Sequence, residues 1–106
     1  MIKDLENGIV CLCDDNLNPS HIDAFYTTLQ SKDNDAVIDL NENYSDVFKA
    51  RIQPLYDHQI QKNKLLVLVI SSTVAHHFPE TWPIVPTLTE AVDYIQFEQM
   101  QRDLGF

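Results

Sequence analysis

The stretch Lys64-Leu65-Leu66-Val67-Leu68-Val69-Ile70 carries the longest unbroken apolar run in the chain. A short run rich in branched residues reads as a strand buried on both faces. Such strands sit in the middle of parallel or mixed sheets with helices packed on them. The rest of the chain is read outward from here as what flanks and covers this strand.

Downstream, residues 71–80 read as irregular, with one helical turn around residues 74–78. Trp82-Pro83-Ile84-Val85-Pro86 is too proline-bound for a central strand, so Ile84-Val85 is expected as a short edge strand. Thr87-Leu88-Thr89-Glu90 is a capping-box pattern, and a last helix should run from there to about Leu104. Upstream, Ser45 can cap a helix with Phe48, Ile52, Leu55, Tyr56 and Ile60 on one face. Pro54 lies inside it and predicts a kink or break near Ile52 and Gln53. Ala36-Val37-Ile38-Asp39-Leu40 is a further strand. Ile22, Phe25, Tyr26 and Leu29 form the stripe of a helix opened by Asn18-Pro19-Ser20, with Ser20 as cap and Asp23 at capping-box spacing. Residues 2–5 and 9–13 are two strands joined at Asn7-Gly8, a hairpin signal because both positions tolerate positive φ. The order is ββαβαβ(α)βα. It predicts one α/β domain over residues 1–106, with a mixed four- to five-stranded sheet and mostly parallel pairing.

With 106 residues and 44% hydrophobic composition, the chain supports one modest core. Sixteen acidic against seven basic residues leave a formal charge of −9, which repels nucleic acid and anionic membrane surfaces. Neither is expected as a partner. No apolar run approaches a membrane span, and the start, Met1-Ile2-Lys3-Asp4, lacks a secretory pattern, so the expected location is cytoplasmic. Cys11 and Cys13 alternate on one strand, cannot readily bridge each other, and fit a reducing compartment. Lys49, Arg51, Lys62 and Lys64 bracket a helix and the apolar strand; a solvated face of mixed charge accounts for them.

Four constellations could carry chemistry. Asp14, Asp15 and Asp39 fall at strand ends, with Ser71-Ser72 at another, as in a phospho-acceptor receiver domain that binds Mg²⁺. Against that, only one helix separates Asp15 from Asp39, and no lysine follows Ile84-Val85. Cys11, Cys13, His58, His76 and His77 lack zinc spacing, and the cysteines read as small core residues. Ser71 and Ser72 sit in no nucleophile elbow, and two glycines cannot form a phosphate loop. No catalytic residue, metal or cofactor is therefore expected. The fourth is the last helix. Leu88, Ala91, Val92 and Ile95 share one face, while Phe97, Met100 and Leu104 begin a second stripe that Phe106 extends. That stripe is either a docking face, for a partner or for a homodimer, or a tail folded onto its own domain. Read as a docking face, residues 96–106 form a protruding helical tail whose deletion should leave the domain folded.

The hairpin start, the element order and the run Lys64 to Ile70 followed by Ile84-Val85-Pro86-Thr87-Leu88-Thr89-Glu90-Ala91-Val92 resemble the sulphate-transporter and anti-sigma-factor-antagonist (STAS) domain. The resemblance implies a non-catalytic protein–protein interaction or regulatory module that docks on an anti-sigma-factor-like kinase or another partner. Many members are switched by phosphorylation at the start of the second helix, which here falls at Ser45. Asn43-Tyr44-Ser45-Asp46 stands in place of the family's Asp-Ser-Ser-Gly, and a plain helix cap is the competing role for Ser45. The implied contact surface is Tyr44, Asp46, Val47 and Lys49 together with Phe97, Met100, Leu104 and Phe106. Separately, Val85-Pro86-Thr87-Leu88-Thr89-Glu90-Ala91, Glu98 and Arg102-Asp103-Leu104-Gly105-Phe106 are similar to the end of short bacterial proteins encoded beside ribonuclease Z. That likeness implies an accessory partner of ribonuclease Z, without that enzyme's metal-binding histidines. The alternative from another class is the receiver-like phospho-acceptor using Asp39 with Asp14 and Asp15.

Overall fold

In the computed structural model, which describes residues 1–40 and 45–105, the strands are β1 (Ile2–Asp4), β2 (Ile9–Cys13), β3 (Asp35–Asp39), β4 (Leu66–Val69) and β5 (Ile84–Val85). The helices are α1 (Pro19–Gln30), α2 (Asp46–Gln61) and α3 (Leu88–Asp103). The sheet runs β1-β2-β3-β4-β5 in order. β1 is antiparallel to β2, and the other three pairings are parallel, with Cys11 opposite Val37 and Val37 opposite Val67. The α/β class, mixed sheet and edge position of Ile84-Val85 match the sequence reading. One expectation about strand order changes. The middle strand is β3, and the long apolar run in β4 lies one position from the edge. It is still buried on both faces, because β5 screens its outer side and helices cover it above and below.

Side chains alternate along the strands, so each strand feeds two cores. Val10, Leu12, Ala36, Ile38, Leu66 and Leu68 meet Ile22, Phe25 and Leu29 of α1 and Phe48, Ile52 and Leu55 of α2. Ile9, Cys11, Val37, Val67 and Val69 meet Ala91 and Ile95 of α3. Two helices thus cover one face with large residues, and a single helix covers the other over smaller ones. A fully buried Leu, Ile or Phe contributes roughly 1.5–3 kcal/mol, so the α1/α2 side carries most of the burial energy. The connection after β4 also packs on that side, through Phe78 and Trp82, whose rings lie 6.0 Å apart. Tyr56 of α2 stacks 5.4 Å from Trp82 and donates its hydroxyl to the Thr81 carbonyl at 3.3 Å.

Several local expectations are corrected. Asn18, not Ser20, caps α1: its side chain accepts from the Ser20 and His21 amides, and His21 Nδ1 accepts from the Asn18 amide at 3.2 Å, the place expected for Asp23. α2 runs unbroken through Pro54. Pro54 and Ala50 lie on its exposed face, where water can serve the carbonyl that loses its amide donor. Ile60 is exposed, and Gln59 takes the buried position on that stripe. The Asn7-Gly8 turn does carry positive φ at both residues, 60° and 71°, within a 3₁₀ turn over Glu6–Gly8. Arg51 pairs with Asp23 and Lys62 with Asp33, which places these two bases in a mixed-charge surface.

Among the described residues only Asp35 and Gln59 are buried and polar, and both sit at the amino end of the parallel strands. The Asp35 carboxylate accepts from the Leu65 amide at 2.9 Å, Gln99 Nε2 at 2.9 Å and Arg102 Nη2 at 2.8 Å. Gln59 Nε2 donates to the carbonyls of Asn34 at 2.7 Å and Leu65 at 2.9 Å. The last turns of α3 are therefore pinned to β3 by their inner face. A chain ending before residue 96 loses Gln99 and Arg102, so the truncation expected to spare the domain strips a buried carboxylate instead. Arg102→Ala should lower stability by about 2 kcal/mol, read from the urea midpoint, since removing one partner leaves a buried charge underserved. Phe97→Ser, at an exposed position of the same helix, should leave the midpoint within about 0.5 kcal/mol. Equal midpoints for Arg102→Ala and the parent would refute the clamp.

Candidate functional site

The carboxyl ends of the parallel strands gather the first set of candidates. β2 ends at Cys13, and Asp14 and Asp15 follow it; β3 ends at Asp39; Ser71 and Ser72 follow β4; Thr87 caps α3 after β5. The connection after β4 leaves toward the α1/α2 face and α3 leaves toward the other. A crevice opens at such a divergence in α/β sheets. It has about 460 Å³, and Asp39, Ser71, Ser72 and Thr87 line it. An adjoining hollow of about 550 Å³ holds Lys3, Asp14, Asp15 and again Asp39. The three acids named from the sequence are thus brought to one edge.

Lys3 is a member that sequence reasoning missed. Its position opposite Cys11 in the β1–β2 register delivers it to the acids from the antiparallel strand, where no strand-end pattern points to it. Asp14 is already engaged. The Asn16 amide donates to it at 2.9 Å and the Met1 ammonium lies 3.3 Å away. These two contacts hold its carboxyl below the usual carboxylate range. Among the described residues, no group of three His, Cys, Asp or Glu side chains is arranged to hold a metal ion. His58 reaches the Leu29 carbonyl at 3.2 Å and meets Tyr26 edge to face, while His76 and His77 stack at 4.1 Å.

Cys11 and Cys13 share the α3 side of β2, as their alternation requires. Burial, helped by Cys13 and Asp39 nearby, pushes the Cys11 thiol from an ordinary 9.0 up to about 12. A raised folded value means stability that is complete below about 9 and lost as pH climbs toward 12. Cys11 should accordingly resist an aromatic disulfide reagent at about pH 8 in the folded chain and react in urea. Equal rates with and without urea in a Cys13→Ser background would contradict this.

The proposed contact residues fall in two places. Ser45 caps α2, and its Oγ accepts from the Phe48 amide at 3.4 Å. Val47 is 50% exposed beside Asp46, and Lys49 is half-buried. Tyr44 and Phe106 lie outside the described residues. On α3, Phe97, Met100 and Leu104 are 58%, 60% and 67% exposed, and Tyr94, absent from the sequence reading, adds 40%. At about 100° per residue these four share the side opposite Ala91, Ile95, Gln99 and Arg102. The α2 group stands at the carboxyl edge on one face of the sheet. The α3 stripe runs toward the amino edge on the other face. The fold does not join them into one surface. The chain matches no protein-family model, no curated protein and no solved structure.

Proposed function

We propose that this protein is a non-catalytic, cytoplasmic protein–protein interaction module of the anti-sigma-factor-antagonist type. The observation that carries the reading is the row Tyr94, Phe97, Met100 and Leu104, large apolar side chains left in water along about three turns of a helix whose inner face is fully engaged. Contiguous exposed apolar surface of this kind marks interaction sites more often than it marks plain surface. An antiparallel first strand, a parallel remainder and a second helix capped by a serine support the STAS-like assignment. In that assignment Ser45, already at the α2 N-terminus, is the phosphorylation site, and Asp46, Val47 and Lys49 form a second, separate contact. Phosphate on Ser45 would gain from the helix dipole and lose the cap to the Phe48 amide.

Photo-crosslinkers placed at Phe97, Val47 and the exposed control Ala24 in cells test the reading. The same partner protein should be captured from position 97 or 47 and not from 24. Equal labelling at all three positions would overturn it.

A second reading has one observation in its favour: Asp14, Asp15, Asp39 and Lys3 line one hollow, the residue types of a receiver-like phospho-acceptor. Millimolar Mg²⁺ should then shift the amide resonances of those acids selectively. Unchanged spectra would remove this reading.

A further inference from the structure

The surroundings of the α3 stripe define the chemistry of what covers it. Along the helix the acidic residues are Glu90, Asp93, Glu98 and Asp103, and the only basic residue is Arg102. Arg102 points inward, with Nη2 held 2.8 Å from the Asp35 carboxylate. Asp93 lies between Met100 and Leu104 in angle, Glu90 lies beside Phe97, and Glu98 and Asp103 border the stripe on its two sides, at about 100° per residue. The outer face is therefore a row of apolar anchors with acids at its amino-terminal end and on both flanks, interspersed with Gln96 and Gln101, and with one base from outside the helix, Lys64, lining the hollow that Met100 and Asp103 share. A second copy of the chain is a poor occupant. It would set these acids against their own likenesses, with −9 on each chain and no outward base on either helix.

We infer that the α3 face takes an amphipathic helix of a partner protein, with apolar anchors at i, i+3, i+4 and i+7 and lysines or arginines along both borders. This rests on the interaction-module reading and names the partner's chemistry. The anchors cover Phe97, Met100 and Leu104, with Tyr94 at the amino-terminal end of the contact. The partner's bases meet Glu90 and Asp93 at one end and Glu98 and Asp103 at the other. Helix-on-face recognition gives affinity through the apolar seam, and opposite border charges give register and partner choice. Gln99 and Arg102 keep their bonds to Asp35 on the sheet side of α3, in the hollow that Met100 borders.

The test uses the full chain, isotopically labelled, and two synthetic peptides of roughly 18 residues, long enough to become helical on contact. Both carry leucines at the anchor spacing; one has lysines at the border positions and the other glutamates. The leucine–lysine peptide should shift amides of residues 94–104, and the leucine–glutamate peptide should bind at least about tenfold more weakly. The double substitution Phe97→Ser with Met100→Ser should weaken the first peptide by about tenfold or more while leaving the urea midpoint in place. Shifts spread over the acidic surface and indifferent to that substitution would overturn the inference, as would equal binding of the two peptides. Concentration-dependent dimerisation abolished by the same substitution would assign the face to a second copy and overturn it too. Silence toward both peptides, with crosslinking through Val47 retained, would remove this inference and leave the interaction module standing.

Discussion

The carboxylate of Asp35 is the point on which the two layers of this fold depend. It is 2% exposed at the first residue of the middle strand, and its oxygens are shared among a β4 lead-in amide, a glutamine and an arginine from α3. Gln59 reaches the neighbouring carbonyls of Asn34 and Leu65 from α2 on the opposite face. Together they join helices that never touch one face of the sheet in common. A buried charge is tolerated when it is paired and hydrogen-bonded, and two of the three donors to Asp35 come from the last turns of α3. Gln99 also donates to the Asn7 carbonyl at 3.0 Å, which ties the left-handed hairpin turn into the same cluster. The amino edge of the sheet thus carries a polar seam beside an open hollow of about 690 Å³, and the carboxyl edge carries the crevices around Asp39.

The unequal covering of the sheet follows from connectivity. α1 and α2 return their strands along one face, and the connection after β4 packs there as well through Phe78 and Trp82. Only α3 is left for the other face, over Val37, Val67 and Cys11. A lone helix on small side chains needs only a narrow inner stripe, Ala91 and Ile95, supplemented by the polar clamp at its end. Its outer side is then free to carry residues chosen for something other than the core. This separation of duties explains how one helix holds both the arginine bound to a buried carboxylate and, among the described residues, the most exposed phenylalanine.

Much of the architecture was legible in the residues. Apolar runs of the right length gave β2, β3 and β4, prolines on either side of Ile84-Val85 marked the edge, and Asn7-Gly8 marked the hairpin. The errors share a cause. Ser20 lost to Asn18 because capping depends on φ and ψ at one position, which residue type alone does not determine. Pro54 left α2 intact because its exposed side lets water replace the lost donor. Ile60 surrendered its place to Gln59 because the stripe ends where the polar seam begins, and a long amide can satisfy two carbonyls that an isoleucine cannot. The split of the contact residues between two faces was invisible, since spacing along the chain says nothing about which side of a sheet a helix takes.

What the sequence determined by itself is local and periodic: strands from branched runs, helices from stripes, and the fading of one α3 stripe as another begins, with a net charge of −9 fixed by composition. These depend on neighbours within a few turns, which the chain order already contains. The tertiary structure alone decided that β3 and not the longer-looking run around β4 is the middle strand. It alone paired Asp35 with Arg102, 67 positions apart, and brought Lys3 to Asp39. Those outcomes depend on strand order and on which face each helix covers, and burial sets both by comparing whole arrangements at once. The stripe of Phe97, Met100 and Leu104 needed both: periodicity to be noticed, and the Asp35 clamp on the opposite side of α3 to show that it faces water.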